Sequence, residues 1–503
     1  MASTADRRQP IAQVEDALKH TYQGPDGMTQ TRQQLWIAGK ETPPSSGEYF
    51  VDPNPMDDSL FATVAKGTPE DVERAIASAH AAFPSYQKSL PKDRERWLLR
   101  AAELLEAQSC DFIDTLVDEV GSPVLKAERE VETSIGILRS AAGATRQLTG
   151  KTYPTDVPGR FSMSVRRPLG VIAGITPFNV PLIKNIKHSA MPLATGNTVV
   201  LLPSEHAPVM AFQVARLFSE AGFPDGSFNV VTGYGSELGD SLTCHPLVRM
   251  VGFTGSTRVG HHISALCGKQ AKRYSLEMGG KNPLVILKDA ELDHAVQGSV
   301  IGSFLYQGQI CMASSRIYVE QPVHDEFLRR FLAAIQQLGM ADLRSPSTMI
   351  GPIIHERQRA RIKEHLQDAI AKGASVLAGG NWQGNRCEPT VLTDVDDSML
   401  IHREETFGPI TTVHGVDSAD EALRLANDSK LGLSASVYTT NLTHAMRFAE
   451  ELQAGMVHVN GTTIQDEPHI PFGGVGESGF GRESTDPDLA EMTQWKWITV
   501  QHD

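Results

Sequence analysis

From Val171 onward the chain is written in short β-branched runs separated by helical stretches: Val171-Ile172-Ala173, Thr198-Val199-Val200-Leu201-Leu202, Phe228-Asn229-Val230-Val231 and Val248-Arg249-Met250-Val251. Runs this apolar must be covered on both faces, and strands that alternate with helices are joined by crossovers. The rhythm therefore predicts an α/β fold with a parallel sheet. Beyond Gly279 it restarts with Leu284-Val285-Ile286-Leu287, a helix from about Val323 to Leu338, and strands near Ile410 and Val457, which predicts a second α/β domain. A chain of 503 residues is too long for one core, in keeping with two. Upstream, Leu35-Trp36-Ile37-Ala38 before Gly39 and Lys40 suggests a strand and turn. Thr68-Pro69-Glu70-Asp71 reads as a helix cap followed by Val72, Ala75, Ile76, Ala79 and Phe83 at helical spacing, and another helix from Pro91 buries Trp97, Leu98, Ala101, Leu104 and Leu105.

The net charge is -14 at neutral pH, with Lys and Arg dispersed. No basic surface is available for a phosphate backbone, so a nucleic-acid partner is not expected. Cys110, Cys244, Cys267, Cys311 and Cys387 are odd in number and scattered, with no CxxC pair and no metal-ligand spacing. That fits a reducing compartment and no metal site. Met1 to Gly39 is polar and carries Asp6, Glu15 and Asp16, unlike a signal or transit peptide, and no apolar run reaches membrane-spanning length. A soluble, cytoplasmic protein is expected.

Two segments carry candidate chemistry. Cys311 closes the run Gln307-Gly308-Gln309-Ile310-Cys311. A lone cysteine is more often a small buried hydrophobe, but glycine between two glutamines suggests a backbone turn, where a reactive thiolate has to sit. Sulfur suits a reaction that needs a strong nucleophile and then a leaving group, because a thioester is easily hydrolysed. In Leu276-Glu277-Met278-Gly279-Gly280-Lys281-Asn282-Pro283 a carboxylate stands in apolar surroundings beside two glycines. In isolation it reads as a solvated glutamate at a strand-to-turn junction. Burial would raise its pKa and make it a usable general base.

Thr176-Pro177-Phe178-Asn179, Pro192-Leu193-Ala194-Thr195-Gly196-Asn197, Phe253-Thr254-Gly255-Ser256-Thr257, Glu405-Thr406-Phe407-Gly408-Pro409 and Pro471-Phe472-Gly473-Gly474 occur with these two segments in the order of the aldehyde dehydrogenase superfamily. From about Trp36 to its end the chain resembles that family, and the separation of Glu277 from Cys311 is matched there. The resemblance implies an α/β architecture with a Rossmann-like NAD-binding domain (36–149 and 169–279) and a second α/β catalytic domain (280–480). It adds a small β oligomerisation ribbon (150–168 and 481–503) and leaves a polar N-terminal extension (1–35). It implies NAD as cofactor, a small-molecule aldehyde as substrate, and a homodimer or homotetramer.

The resemblance also distributes roles. Cys311 is the nucleophile and Glu277 the base, while the Asn179 amide and the Cys311 N–H hold the developing oxyanion. Thr176, Pro177, Phe178 and Gly279 belong to cofactor-binding segments. Ser204 and Glu205 take the adenosine ribose hydroxyls, a geometry that repels an added 2′-phosphate and favours NAD over NADP. Gly255, Ser256 and Gly260 follow an apolar strand and lead into a helix, where a pyrophosphate can approach. Glu405 and Phe407 position the nicotinamide ribose; the plain alternatives are a surface acid and a core phenylalanine.

Two departures stand out: Leu202 where the family commonly has lysine, and His188 where many members have lysine on the helix after Asn179. Lys187 either substitutes for the second or is a solvated helix charge. Glu483 reads equally as a proton relay and as a surface salt-bridge partner. Asn460-Gly461-Thr462-Thr463-Ile464-Gln465-Asp466-Glu467-Pro468-His469 resembles the anchor loop of the benzaldehyde, salicylaldehyde and vanillin dehydrogenase branch. Asp156 to Gly159, Met163 to Arg166 and Gln309 to Met312 are also similar to that branch. No arginine in that loop or beside Cys311 would clamp a second carboxylate, so an aromatic aldehyde is expected ahead of an aliphatic or semialdehyde substrate on the same scaffold. A catalytically silent binding or structural protein is the reading of another class. Gln494 to Val500 alternates as a core or edge strand and, with Phe161 to Arg167, resembles the family's ribbon.

Overall fold

The computed structural model describes residues 21–23, 29–340 and 342–502. Five parallel strands, in the spatial order Arg273–Glu277, Val248–Thr254, Val171–Thr176, Thr198–Pro203 and Phe228–Val230, form the centre of an eight-stranded sheet. Every residue of Thr198–Pro203 and Phe228–Val230 is buried, as expected of strands with helices on both faces. The hairpin Leu35–Ile37 and Lys40–Thr42 closes one edge in antiparallel fashion. Thr68 caps the helix Pro69–Tyr86 in a reciprocal box with Asp71, and Val72, Ala75, Ile76 and Ala79 form its buried stripe.

The second sheet is parallel through Thr390–Thr393, Ile410–Val416, Ser314–Glu320, Asn282–Ile286, Ser434–Tyr438 and Met456–Val459, with Ser375–Ala378 antiparallel at its edge. The helix expected near Val323 is Gln321–Ile335. Thr493–Gln501 pairs along its whole length with Arg160–Pro168, which also pairs with Lys151–Tyr153.

Three features differ from the expected divisions. Thr21–Gln23 and Thr29–Gln33 pair with each other, and the second continues a sheet with Leu60–Ala65 and Tyr49–Pro53. The stretch expected as an extension thus contains two strands, which Thr-Gln-Thr-Arg-Gln hides because it has no apolar alternation. Residues 1–20 and 24–28 of that stretch lie outside the described residues. Gly479–Phe480, expected with the second sheet, pairs with Arg273–Glu277 in the first. The expected strand region 481–503 includes the helix Thr485–Glu491 before Thr493–Gln501.

In the first sheet Val171–Thr176 lies between Thr198–Pro203, its successor, and Val248–Thr254, the third strand after it. Strand order reverses there, which opens a crevice beyond the carboxyl ends. The chain then runs from Glu277 through Met278 to Lys281 directly into Asn282–Ile286. The carboxyl ends of the first sheet and the amino ends of the second therefore face one cleft. No helix among the described residues is long and apolar enough to cross a membrane.

Candidate active site

The cleft has a volume of about 1240 Å³. The first sheet contributes Pro177, Phe178 and Asn179 after one strand, Gly255 and Ser256 after the next, and Glu277 and Gly279 after the third. Cys311, Glu405 and Phe407 come from segments that lead into strands of the second sheet. Ten of the fourteen expected site residues thus line one cleft. The other four, Thr176, Ser204, Glu205 and Gly260, do not line it. Thr176 is buried with its hydroxyl donating to Asn185 Oδ1 at 2.7 Å. Gly260 makes room for Met278, whose sulfur would lie 2.2 Å from an added Cβ. Ser204 and Glu205 follow Thr198–Pro203, whose Pro203 is in register with Thr176. They precede His206, whose ring approaches that of His355 to 4.4 Å, and both imidazoles contact Phe178.

The turn before Cys311 is tight. Tyr306, Gln307 and Gly308 have φ of 53°, 45° and 68°. Only glycine adopts this region freely, so the first two carry strain of about 1–3 kcal/mol each, and their side chains are tied down. The Tyr306 hydroxyl donates to Val120 O at 2.8 Å, Gln307 donates to Pro352 O at 2.7 Å and accepts from Gly351 N at 2.8 Å, and Gln309 accepts from Ile354 N at 3.1 Å. These glutamines, expected as markers of a turn, are fully buried clamps. A Cβ on Gly308 would stand 2.3 Å from Gly408 O. Asn282 Nδ2 donates to Cys311 O at 2.8 Å and Ala313 O at 2.9 Å, which fixes the peptide at the sulfur. Burial pushes the Cys311 thiol up to about 12, against the opposing charge of Lys184.

Asn179 is held by its backbone. Its carbonyl accepts from Lys126 Nζ at 2.8 Å, and its side-chain amide makes no hydrogen bond among the described residues, so it faces the cleft wall free to donate. Lys126 pairs with Glu130, whose Oε1 accepts from Leu182 N at 2.8 Å and Ile183 N at 3.3 Å at the start of the helix Pro181–Ala194. The Lys126 ammonium also lies 4.3 Å from the centroid of the Tyr306 ring. One buried lysine thus ties the asparagine to the cysteine turn. Lys126 and Glu130 are visible in the sequence only as a helical i,i+4 pair, which ordinarily reads as surface.

Glu277 is buried, and neither carboxyl oxygen has a hydrogen-bond partner among the described residues. Burial first, and the charge of Glu483 second, hold its pKa well above the usual carboxylate range. Opposite it, Lys184 Nζ lies 2.5 Å from Glu483 Oε2, and Lys187 Nζ lies 2.9 Å from Asp466 Oδ2. Lys187 is therefore a buried ion-pair member, not a solvated helix charge, and Glu483 is no surface acid. Burial would raise the Glu483 pKa, but the charges of Lys184 and Lys187 outweigh it and hold the carboxyl at about 2. Glu483 is a standing counterion. Burial drives His188 down to about 4, so it is neutral, with Nε2 2.9 Å from Thr254 Oγ1.

The remaining wall fits a dinucleotide. Ser256 stands at the N-cap of the helix Thr257–Lys269 without using its side chain as a cap, so backbone N–H groups and the positive end of the helix face the cleft, as anionic phosphates require. Glu405 lies against Gly279, where an added Cβ would stand 2.2 Å from its Oε2, and burial raises its pKa to about 7. Phe407 packs edge-on to Phe178 at 6.0 Å. Gln358 donates to Thr406 O and Phe407 O, and Arg361 to Glu405 O, which shapes this loop. Motif reading missed both, since neither belongs to a glycine-rich or acidic signature. Among the described residues no cluster of three or more His, Cys, Asp or Glu is arranged to hold a metal.

A cysteine held in a strained turn, an amide donor and a buried carboxyl, all lining one crevice, define a class of nucleophilic dehydrogenase. The chain belongs to the aldehyde dehydrogenase family, whose model matches residues 42–498, and it is an oxidoreductase acting on aldehydes. It is 39% identical to vanillin dehydrogenase of Pseudomonas fluorescens over 471 residues, 93% of this chain and 98% of that protein. A crystal structure of a salicylaldehyde dehydrogenase from Pseudomonas putida G7 complexed with salicylaldehyde superposes with a TM-score of 0.91 at 36% identity, covering 94% of this chain and 99% of that one. An NAD-dependent aldehyde dehydrogenase from Sinorhizobium meliloti superposes with a TM-score of 0.91 at 34% identity, covering 94% and 95%.

Proposed function

We propose that the protein oxidises an aromatic aldehyde of the benzaldehyde, salicylaldehyde or vanillin type to its carboxylic acid, with NAD. The observation that carries this reading is the convergence of Cys311, Asn179 and Glu277 on the cleft wall that also bears the Gly255-Ser256 helix start. Kinship with dehydrogenases of vanillin and salicylaldehyde supports the aromatic substrate.

Cys311 as thiolate forms the C–S bond to the carbonyl carbon, and the oxygen that gains charge is held by the Asn179 amide and the Cys311 N–H. NAD, when bound along Gly255, Ser256, Phe178, Glu405 and Phe407, with Ser204 and Glu205 at its adenosine end, supplies the acceptor for the hydrogen and electron pair leaving the carbonyl carbon. Glu277 then takes a proton from the water that attacks the thioester. The C–S bond breaks, the acid departs, and the thiolate is regenerated. A carboxyl with raised pKa and no fixed partner is suited to that transfer. The outer edge of Thr493–Gln501 exposes Trp495 and Trp497, which supports a homodimer or homotetramer, and we place the enzyme in the cytoplasm.

A panel of aldehydes at saturating NAD tests the reading. Benzaldehyde or a ring-substituted relative should exceed succinic semialdehyde and hexanal in kcat/KM; a wide margin the other way would sink the aromatic assignment.

A further inference from the structure

Away from the helix start, the cleft beside Cys311 is lined by Val180, Lys184 and Phe472. A buried lysine is unusual in a pocket for an apolar ring. Lys184 is 3% exposed, yet its ammonium is stable: burial pulls its pKa down, and Glu483, Glu277 and Cys311 more than reverse this. It lies 4.7 Å from the centroid of the Phe472 ring, and Lys187 lies 4.5 Å from the same ring.

The charges around this end are already balanced. Glu483 matches Lys184 and Asp466 matches Lys187, so a substrate bearing its own carboxylate would find both lysines already paired and would add a buried charge that neither is free to match. The donors are not exhausted. An ammonium has three N–H bonds, and Lys184 directs one to Glu483, its sole side-chain hydrogen bond among the described residues. What it can still satisfy in the cleft is a neutral oxygen.

Resting on the aromatic reading above, we propose that Lys184 donates a hydrogen bond to a hydroxyl or methoxy oxygen on the substrate ring. It thereby sets a preference for oxygen-substituted benzaldehydes over both benzaldehyde and carboxylate-bearing analogues. A donor carrying full charge in a dry site makes this preference large, and it appears mainly in KM.

The test compares benzaldehyde, 2-, 3- and 4-hydroxybenzaldehyde, 4-methoxybenzaldehyde and 4-formylbenzoate in three proteins: the natural enzyme, Lys184→Met, and Lys184→Met with Glu483→Gln, which leaves no stranded buried charge. The natural enzyme should favour at least one oxygen-substituted ring over benzaldehyde by about tenfold, and the ratio should fall to within about threefold in both variants. Calorimetric titration of the same aldehydes into Cys311→Ala protein, with and without Lys184→Met, should show the same loss in Kd and does not depend on turnover. A ratio near one in the natural enzyme, a ratio that survives loss of Lys184, or 4-formylbenzoate as the best substrate would each overturn the proposal. If aromatic aldehydes react but the ratio ignores Lys184, only this inference falls. If aliphatic aldehydes alone react, the aromatic reading falls with it.

Discussion

The two ends of the cleft are built from different materials. The dinucleotide end is backbone and glycine: Gly255 and Ser256 at a helix start, and Gly279 against Glu405. The acyl end is buried charge: Lys184 with Glu483, Lys187 with Asp466, and Glu277 unpaired among them. A backbone-built surface binds the same group in many proteins, because peptide N–H groups do not vary. A surface of paired side chains is particular to its sequence, and removing one member strands another. The first end is therefore where cofactor binding follows a common pattern, and the second is where we expect substrate choice to be set.

The comparison breaks most severely at the sulfur. Cys311→Ala should bind NAD with ordinary affinity while NADH formation falls by on the order of 10⁴-fold or more; measurable turnover would remove the nucleophile. Glu277→Gln is next. Steady-state kcat should drop by about 10²–10⁴-fold while a stoichiometric burst of NADH persists, since only water activation is lost; loss of the burst would assign the carboxyl to the first half of the reaction. Both groups have raised pKa values. Their deprotonated, active forms accumulate as pH rises, so kcat/KM should climb from pH 6 to 9, and in Glu277→Gln the limb belonging to hydrolysis should vanish from kcat.

Much of the first end was legible in sequence because its requirements are steric. Gly279 and Gly308 each sit where a Cβ would collide, and such positions leave glycine in recognisable runs. The parallel strands were legible for a similar reason, since burial on both faces demands continuous apolar runs. Cys311 was not distinguishable by burial: Cys387 is also pushed up to about 12, inside an apolar cluster, and what separated them was the Gln-Gly-Gln turn before Cys311 together with the accompanying motifs, Glu277 above all. Lys126, Lys184 and Glu483 were opaque because their partners lie 53, 299 and 299 residues away in sequence. A charged residue on a helix reads as solvated until the fold shows what covers it. The strands Thr21–Gln23 and Thr29–Gln33 were missed because their predominantly polar residues carry no apolar period.

A smaller effect probes the backbone-built end. Gly279→Ala should leave thermal stability nearly unchanged, because the group in the way is the mobile end of Glu405. It should raise the KM for NAD by about tenfold if Glu405 holds the nicotinamide ribose as we propose, an effect on the order of one charged hydrogen bond. If KM for the aldehyde rose instead, the two ends would not be separable.

The smallest expected effect concerns cofactor choice, where the two kinds of wall meet. Leu202 is buried in its strand and offers no cation, but the cleft gains one elsewhere: Arg357 lines it, is exposed, and makes no ion pair among the described residues. Its charge helps burial hold His206 and His355 at about 4, so both imidazoles are neutral near pH 7 and add no attraction for phosphate. Glu205, next to His206, then decides between repelling a 2′-phosphate and leaving it to Arg357. NAD should exceed NADP in kcat/KM for the natural protein, and Glu205→Gln should narrow the ratio by about tenfold, the worth of one charge contact near a surface. Adding Arg357→Ala to Glu205→Gln should restore part of the preference by removing the cation whose charge acts on His206 and His355. Equal use of both cofactors by the natural protein would show that Glu205 does not face the ribose, and that the adenosine end follows the particular side chains of this sequence and not the family's backbone.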